Sequence, residues 1–339
     1  NSYYPYTMIN NLIHPAHIPA EHFIPMLSTI VEQRIANKEM AKDKTLEENV
    51  LKTAKSFANI LKIVVNVVYG KLNDVYHWLL DANASYTVTV NCQLALLMLV
   101  EKLNINNFEI VSVNTDGVLT KVPKIREDEY YKICNEWAEY FNYGVEYATY
   151  LKYIATSVND YLAVKDDGSI KEKGVFVEDK TLLHDYLIKG YSMPIVSIAL
   201  KKYLLYNIPI RETIHNHINT SDDAILDYAI AQKIGKDYIP YIESLNESKT
   251  DIELTPIQST IRYYISNKGV ALVKINDTGK KISLIAKEYC TLINNLSVGA
   301  THDIKFAFYI NECDKILNSI HNKITSKNKK QNGRLFDNL

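Results

Sequence analysis

One stretch limits the fold of this chain more than any other. Between residues 51 and 69 two sets of positions repeat with the same alternating step of three and four residues. The polar set is Lys52, Lys55, Asn59, Lys62, Asn66 and Tyr69, and the apolar set is Leu51, Ala54, Ala58, Leu61, Val65 and Val68. That step matches an α-helical turn of about 3.6 residues, so the two sets take opposite sides of one helix, one buried and one a stripe of cations. A helical pattern over 21–44 precedes a helix over 46–69, and Ala41-Lys42-Asp43-Lys44 joins them, which predicts a helical hairpin. The first helix adds Arg34 and Lys38, four apart and therefore on one face. Arg34 to Lys71 holds eight cations and four anions, a balance of +4 in a 339-residue chain of formal net charge −1. Such a stripe is either an ordinary solvated face or a surface for an anion. The amide of Asn66 and the ring of Tyr69, following Lys62, favour the second, because together they suit a phosphate, a polar contact and a planar base.

Composition narrows the class. Hydrophobic residues make up 47% of the chain, enough to bury a core and to exclude disorder over most of it. A net charge of −1 argues against a histone-like, tail-driven binder and says nothing of local patches. Cys92, Cys134, Cys290 and Cys313 stand singly with no C-x-x-C pair, which excludes a zinc ribbon and predicts a reducing, cytoplasmic setting without a disulfide framework. The longest apolar run, 94–100, is too short to cross a bilayer. The chain opens on Asn1 and an aromatic segment, Tyr3-Tyr4-Pro5-Tyr6, and so reads as a fragment.

The remaining pattern predicts an α+β fold. Residues 1–20, punctuated by Pro5, Pro15 and Pro19, read as strand and loop. A helix is expected over 86–103, strands over 108–113 and 118–122 around the turn Asn114-Thr115-Asp116-Gly117, and a helix over 126–142 capped by Tyr143-Gly144. Three strands are expected at 144–155, 158–165 and 170–177, and the rest, 180–339, reads as mostly helical with one hairpin over 261–275 around Asn267-Lys268-Gly269. The Asn114–Gly117 turn has two readings: a plain hairpin turn, or a rigid tip whose Asp116 carboxylate holds Mg²⁺ together with substrate phosphates. Three nearby histidines, His14, His17 and His22, lack cysteine or carboxylate partners at ligand spacing, and the pair around Asn216 falls on different helix faces. The tail from Lys315 carries +5 and is either a duplex-backbone contact or a frayed end.

Read in order, Ser2-Tyr3-Tyr4-Pro5, Lys62-x-x-x-Asn66-x-x-Tyr69-Gly70 and Asn114-Thr115-Asp116-Gly117 resemble the A, B and C motifs of family B DNA polymerases. Those motifs read D-x-x-S-L-Y-P-S, K-x-x-x-N-x-x-Y-G and Y-x-D-T-D-S. Asn159-Asp160-Tyr161 with Lys173-Gly174 is similar to the family's primer-side K-x-Y and K-G elements. The resemblance implies an antiparallel-sheet palm, a helical-hairpin fingers subdomain and a mostly helical thumb, spread over 1–20 and 73–180 (palm), 21–72 (fingers) and 181–339 (thumb).

The resemblance also implies roles. Tyr4 would lie under the incoming sugar, Lys62 with Arg34 and Lys38 would grip the triphosphate, and Asn66 and Tyr69 would line the nascent pair. Asp116 would be the catalytic ligand of a two-Mg²⁺ site, and Thr115, Tyr161, Lys173 and Gly174 would meet primer-template DNA. The implied partners are DNA and deoxynucleoside triphosphates, the implied reaction is nucleotidyl transfer, and the composition, with 25 tyrosines against 8 phenylalanines, suggests a phage, plasmid or mobile-element origin. The chain departs from the pattern in two places. Asn114 and Gly117 replace the first Asp and the Ser of motif C, and the motif A Asp would fall two residues before Asn1. The fragment is therefore expected to be inactive by itself, and a non-catalytic nucleic-acid-binding relic of a polymerase is the alternative.

Overall fold

The helical hairpin is where the alternating step puts it. In the computed structural model, which describes residues 3–43, 45–177, 193–245, 252–285, 288–293 and 302–330, α2 (Ala20–Met40) and α3 (Glu48–Lys71) lie antiparallel and packed along their length. Ser2, Lys44, Arg334 and residues 178–192 fall outside the described set. On α3, Ala54, Val65 and Val68 are buried and Lys52, Lys55, Asn59, Lys62 and Asn66 are exposed, as the two interleaved sets require. Phe57, Ile60, Ile63 and Val67 are also exposed, an apolar component of the outer surface that the two sets do not include.

The chain divides into two compact units, 1–148 and 149–339. The first unit begins with a correction. Residues 3–10, expected as strand and loop, form α1 (Tyr3–Asn10). Pro5 sits in the first helical turn, where a missing backbone N–H removes no intrahelical bond. Long-range packing secures the helix: Met8 is wholly buried, and the Thr7 hydroxyl meets Cys92 Sγ at 3.0 Å and Tyr143 Oη at 2.8 Å.

α4 (Ala82–Ile105) is capped by Asp81, whose carboxylate accepts the Ala84 N–H at 2.9 Å. By length and composition this helix is apolar enough to cross a bilayer, although its longest unbroken apolar run is not. Val88, Cys92, Ala95, Leu99 and Leu103 are buried against protein while Tyr86, Val90, Leu94 and Leu97 are exposed, and the Trp137 indole donates to the Ala95 carbonyl at 2.7 Å. β1 (Glu109–Val113) and β2 (Val118–Lys121) pair antiparallel with Val113 opposite Val118. α5 (Glu127–Phe141) ends at Asn142, in the left-handed region at φ 51°, so Asn142 and not Tyr143-Gly144 is the cap.

The second unit opens with a three-stranded antiparallel meander, β3 (Tyr150–Ser157), β4 (Asp160–Lys165) and β5 (Ile170–Lys173), so strands expected to share a subdomain with the 114–117 turn cluster instead with the C-terminal helices. Residues 144–149, expected within the first of these strands, lie outside it. α6 (Pro194–Tyr206), α7 (Ile210–Asn216) and α8 (Phe306–Lys330) follow.

Apart from 3-10 turns at His217–Asn219 and Ala224–Tyr228, the described residues between α7 and α8 are not helical, contrary to the pattern reading everywhere outside 261–275. They carry β6 (Ile230–Lys233), β7 (Tyr238–Leu245), β8 (Ile252–Pro256), β9 (Thr260–Ser266), β10 (Ala271–Asn276), β11 (Lys281–Ser283) and β12 (Tyr289–Leu292) in two sheets, ordered β11-β10-β7-β8 and β12-β9-β6. The physical reason is burial. β6 buries the consecutive residues Ile230 and Ala231, which removes the period-two alternation that would mark a strand, while β9, expected as a strand, lies between two neighbours with Ile261, Tyr263, Tyr264, Ile265 and Ser266 all buried. β9 and β10 do not form the expected hairpin either, because each pairs within a different sheet. Gly269 between them lies against β12, and a Cβ there would come within 2.5 Å of the Cys290 carbonyl oxygen. Helix and antiparallel sheet together make the chain α+β.

Candidate active site

Three segments far apart in the sequence lie in the first unit, and two of them meet. α1 carries Tyr4 and the last turns of α3 carry Tyr69, and their rings stack with centroids 4.1 Å apart and planes 11° from parallel. Tyr69 Oη lies 2.7 Å from Thr89 Oγ1 of α4, which sets the ring's height against the helix behind it. Tyr3 donates to the Cys92 carbonyl at 2.7 Å and packs edge-on against Tyr143 at 5.0 Å, so α1 is held on both sides of Tyr4.

The third segment is the β1–β2 tip. Asn114 N donates to the Gly117 carbonyl at 3.0 Å and Asn114 Oδ1 accepts the Asp116 N–H at 3.0 Å, which leaves Thr115 and Asp116 at the end of the hairpin. The Asp116 carboxylate is exposed and makes no hydrogen bond or ion pair among the described residues. Its charge reaches the aromatic corner. Burial pushes the Tyr4 hydroxyl above the ordinary tyrosine range, and the neighbouring Tyr69, Cys92 and Asp116 push it the same way. Tyr3 is raised by burial foremost, with Asp116 among the lesser contributors. The Asp116 charge therefore contributes in the same direction at both Tyr3 and Tyr4.

The cations divide by helix. Lys62 and Asn66 precede Tyr69 on α3, both exposed, and Lys62 has no ion pair among the described residues. On α2, Lys38 is held by Glu146 at 2.5 Å and Arg34 is buried, 9% exposed. Nothing in the sequence pattern marked Glu146. It follows α5 with no periodicity of its own.

The donor set can be tested against Mg²⁺. No group of three or more His, Cys, Asp or Glu side chains that could hold a metal occurs among the described residues. One exposed carboxylate with no protein partner suits an ion that prefers one or two carboxylates plus substrate phosphates over a protein cage. The Asn114 side chain, turned onto the hairpin backbone, is occupied in shaping the tip.

The residues expected on the primer side belong to the second unit. Tyr161 of β4 sits opposite Lys173 of β5, and its ring stacks on Tyr153 of β3 at 5.2 Å. Gly174 begins a 3-10 turn at φ 62°. The histidines behave as ordinary polar residues: His17 Nε2 lies 2.7 Å from the Trp78 carbonyl, and His215 packs on Phe306 at 4.5 Å. His217 is the exception that the pattern missed. Its Nε2 lies 2.6 Å from Asp227 Oδ2 with both residues buried, a pair visible only once the chain is folded. All four cysteines are free and buried.

No family model matches the chain, and no curated protein matches it. Among solved structures, the chain is similar to the family B DNA polymerase from the hyperthermophilic archaeon Pyrobaculum calidifontis, at 16% identity and a TM-score of 0.49, over 94% of this chain and 43% of that one. The chain thus spans less than half the length of that polymerase.

Proposed function

We propose that this chain carries the core of a template-directed DNA polymerase, one that adds deoxynucleotides to a primer 3′ end. The observation that supports it most is the corner in which Tyr4 stacks on Tyr69 while the Asp116 charge acts on the same ring, since these residues come from the three motif-like segments. In this reading Asp116, with the nucleotide phosphates, holds Mg²⁺. When bound, the ion supplies Lewis-acid stabilisation of the charge that develops in phosphoryl transfer. Lys62 neutralises the triphosphate and Asn66 orients it from the same helix face. Tyr4, kept flat by Tyr69, bounds the sugar and leaves no room for a ribose 2′-hydroxyl. Phosphoryl transfer asks mainly for positioning and charge neutralisation, and an exposed lysine row beside an exposed carboxylate offers both.

A second reading, a nucleic-acid-binding relic without catalysis, is favoured by one observation: Asp116 belongs to no group of three or more His, Cys, Asp or Glu side chains that could hold a metal among the described residues. Mg²⁺-dependent primer extension separates the two. On the polymerase reading Asp116→Ala abolishes extension and Lys62→Ala raises the KM for deoxynucleotide. Wild-type extension by both variants overturns the reading, and primer-template binding without any extension supports the relic.

A further inference from the structure

One side chain ties the β3–β4 turn to the chain reversal that follows β5. Asp160, the first residue of β4, accepts the Val175 N–H at Oδ1 (3.2 Å) and the Ser157 hydroxyl at Oδ2 (2.5 Å). Gly174 passes over this carboxylate in the left-handed region at φ 62°, and a Cβ there would fall 2.0 Å from Asp160 Oδ1 and 2.6 Å from the Asn159 carbonyl oxygen. Only glycine allows that approach. The neighbouring Asn159 is part of the same closure: its N–H donates to Ser157 Oγ at 3.1 Å, and its Oδ1 accepts from Lys173 Nζ at 2.8 Å. Residues 157–160 and 173–175 therefore form one hydrogen-bonded loop.

The charges in this loop are arranged in an unusual way. A carboxylate close to a lysine ordinarily pairs with it. Here both Asp160 oxygens are taken by neutral donors, and the Lys173 ammonium rests on a neutral amide oxygen. Lys173 has no ion pair among the described residues, and it is exposed. By the strand register it lies opposite Tyr161, on the side of the sheet away from the core-facing Leu162. An ammonium held in place but left without a counter-charge is prepared for an anion, because a charge-assisted bond to a phosphate is stronger than the bond to an amide it replaces.

We propose that Asp160 is a positioning residue, which holds the Gly174–Val175 reversal and the Asn159 turn so that Lys173 meets a phosphodiester of the primer strand. The proposal rests on the polymerase-core reading for the identity of the anion. It is tested by primer-template affinity of the 339-residue chain over a range of salt, for wild type, Lys173→Ala, Asp160→Ala and the double variant. Lys173→Ala is expected to weaken binding on the order of fivefold at moderate salt and to lower the salt slope by about one. Asp160→Ala produces the same two changes, the double variant is no weaker than either single one, and Asp160→Asn, which keeps an acceptor for the Val175 N–H, restores most of the affinity. Gly174→Ala displaces the reversal without removing the carboxylate and gives the same slope change, so it decides the matter if Asp160→Ala does not fold. Wild-type binding by Lys173→Ala defeats the DNA-contact reading of this edge, whatever Asp160 does. A weakened Lys173→Ala beside a folded Asp160→Ala of wild-type affinity, or additive losses in the double variant, overturns the positioning role alone.

Discussion

The corner of the first unit and the loop of the second are built by opposite means. In the corner, Thr7 reaches Tyr143 across 136 residues of chain and Cys92 across 85, and these contacts keep Tyr4 on Tyr69. In the loop, Lys173 reaches Asn159 across 14 residues and Asp160 reaches Ser157 across 3. The corner therefore inherits its geometry from the whole packing of α1, α3 and α4, whereas the loop is set by local hydrogen bonds and one glycine. Core substitutions in the first unit should disturb the corner and leave the loop intact. Substitutions in the loop should change one cation and nothing else.

The largest expected effect lies where the corner meets solvent. Asp116→Ala should lower primer extension by a factor on the order of 10³, several kcal/mol of lost charge stabilisation, with no change in thermal melting. The side chain is exposed and bonds to nothing, so a large drop in melting temperature would show that the tip is structural. Asp227→Ala makes the reverse case. It strands His217 in the second unit's interior and should cost about 3 kcal/mol in urea unfolding, with primer-template binding at low urea unchanged.

Tyr69→Ala removes both the stack on Tyr4 and the bond to Thr89 and should cost about 2 kcal/mol, while Tyr69→Phe, which loses only the hydroxyl, should cost about 1 kcal/mol. Equal losses in urea unfolding would mean that the stack contributes nothing and that the corner is held by α4 alone.

Alkaline pH should act on the second unit through its buried thiols. Burial pushes Cys290 and Cys313 up to about 12, with lesser contributions from Glu288 and from Asp314 and Glu312 respectively. The unfolded thiol ionises near pH 8.5, so between about 8.5 and 12 the unfolded chain binds fewer protons than the folded one, and stability falls as pH rises. The expected loss is about 1.4 kcal/mol per thiol per pH unit across that window, and Cys313→Ala should flatten the slope of unfolding free energy between pH 9 and 10. A slope that stays the same in the variant would show that the thiol ionises in the folded chain. The smallest effect is expected at Glu146→Gln. Freeing Lys38 should change stability by less than about 1 kcal/mol and tighten deoxynucleotide binding by at most about fivefold, read from its KM, and a weakened affinity would show that Glu146 orients Lys38 for the nucleotide.

Elements whose faces differ chemically were legible in the sequence. α3 could be read in outline because one side packs on α2 and the other meets water, with Ala54, Val65 and Val68 buried and Lys52, Lys55 and Lys62 exposed. Leu51, Ala58 and Leu61 are only half-buried, however, and Phe57, Ile60, Ile63 and Val67 are exposed. The 114–117 turn was legible because a chain reversal needs its own residue types. α1 was hidden because its aromatic residues and Pro5 argue against a helix until Thr7 and Met8 dock on α4. β6 was hidden because burial of the consecutive residues Ile230 and Ala231 erased the alternation, whereas β9 and β10 fall in the stretch expected as strands over 261–275. Among the candidate site residues, Lys62, Asn66, Tyr69 and Asp116 were visible as chemistry at fixed spacing. Glu146 and Asp160 were not, because their importance lies in which partners they meet.

Sequence alone determined the amphipathic hairpin, the cations along it and the carboxylate at the tip of a turn, since each follows from spacing within a single element. Tertiary structure decided that Tyr4 lies on Tyr69, that among the described residues Lys38 is paired and Lys62 is not, and that Asp160 is spent on a backbone turn and leaves Lys173 without a counter-charge among them. The reason is range. Periodicity records which side of an element avoids water, whereas a stack, an ion pair or a latch depends on two elements arriving within a few ångströms of each other, and no local pattern encodes that meeting.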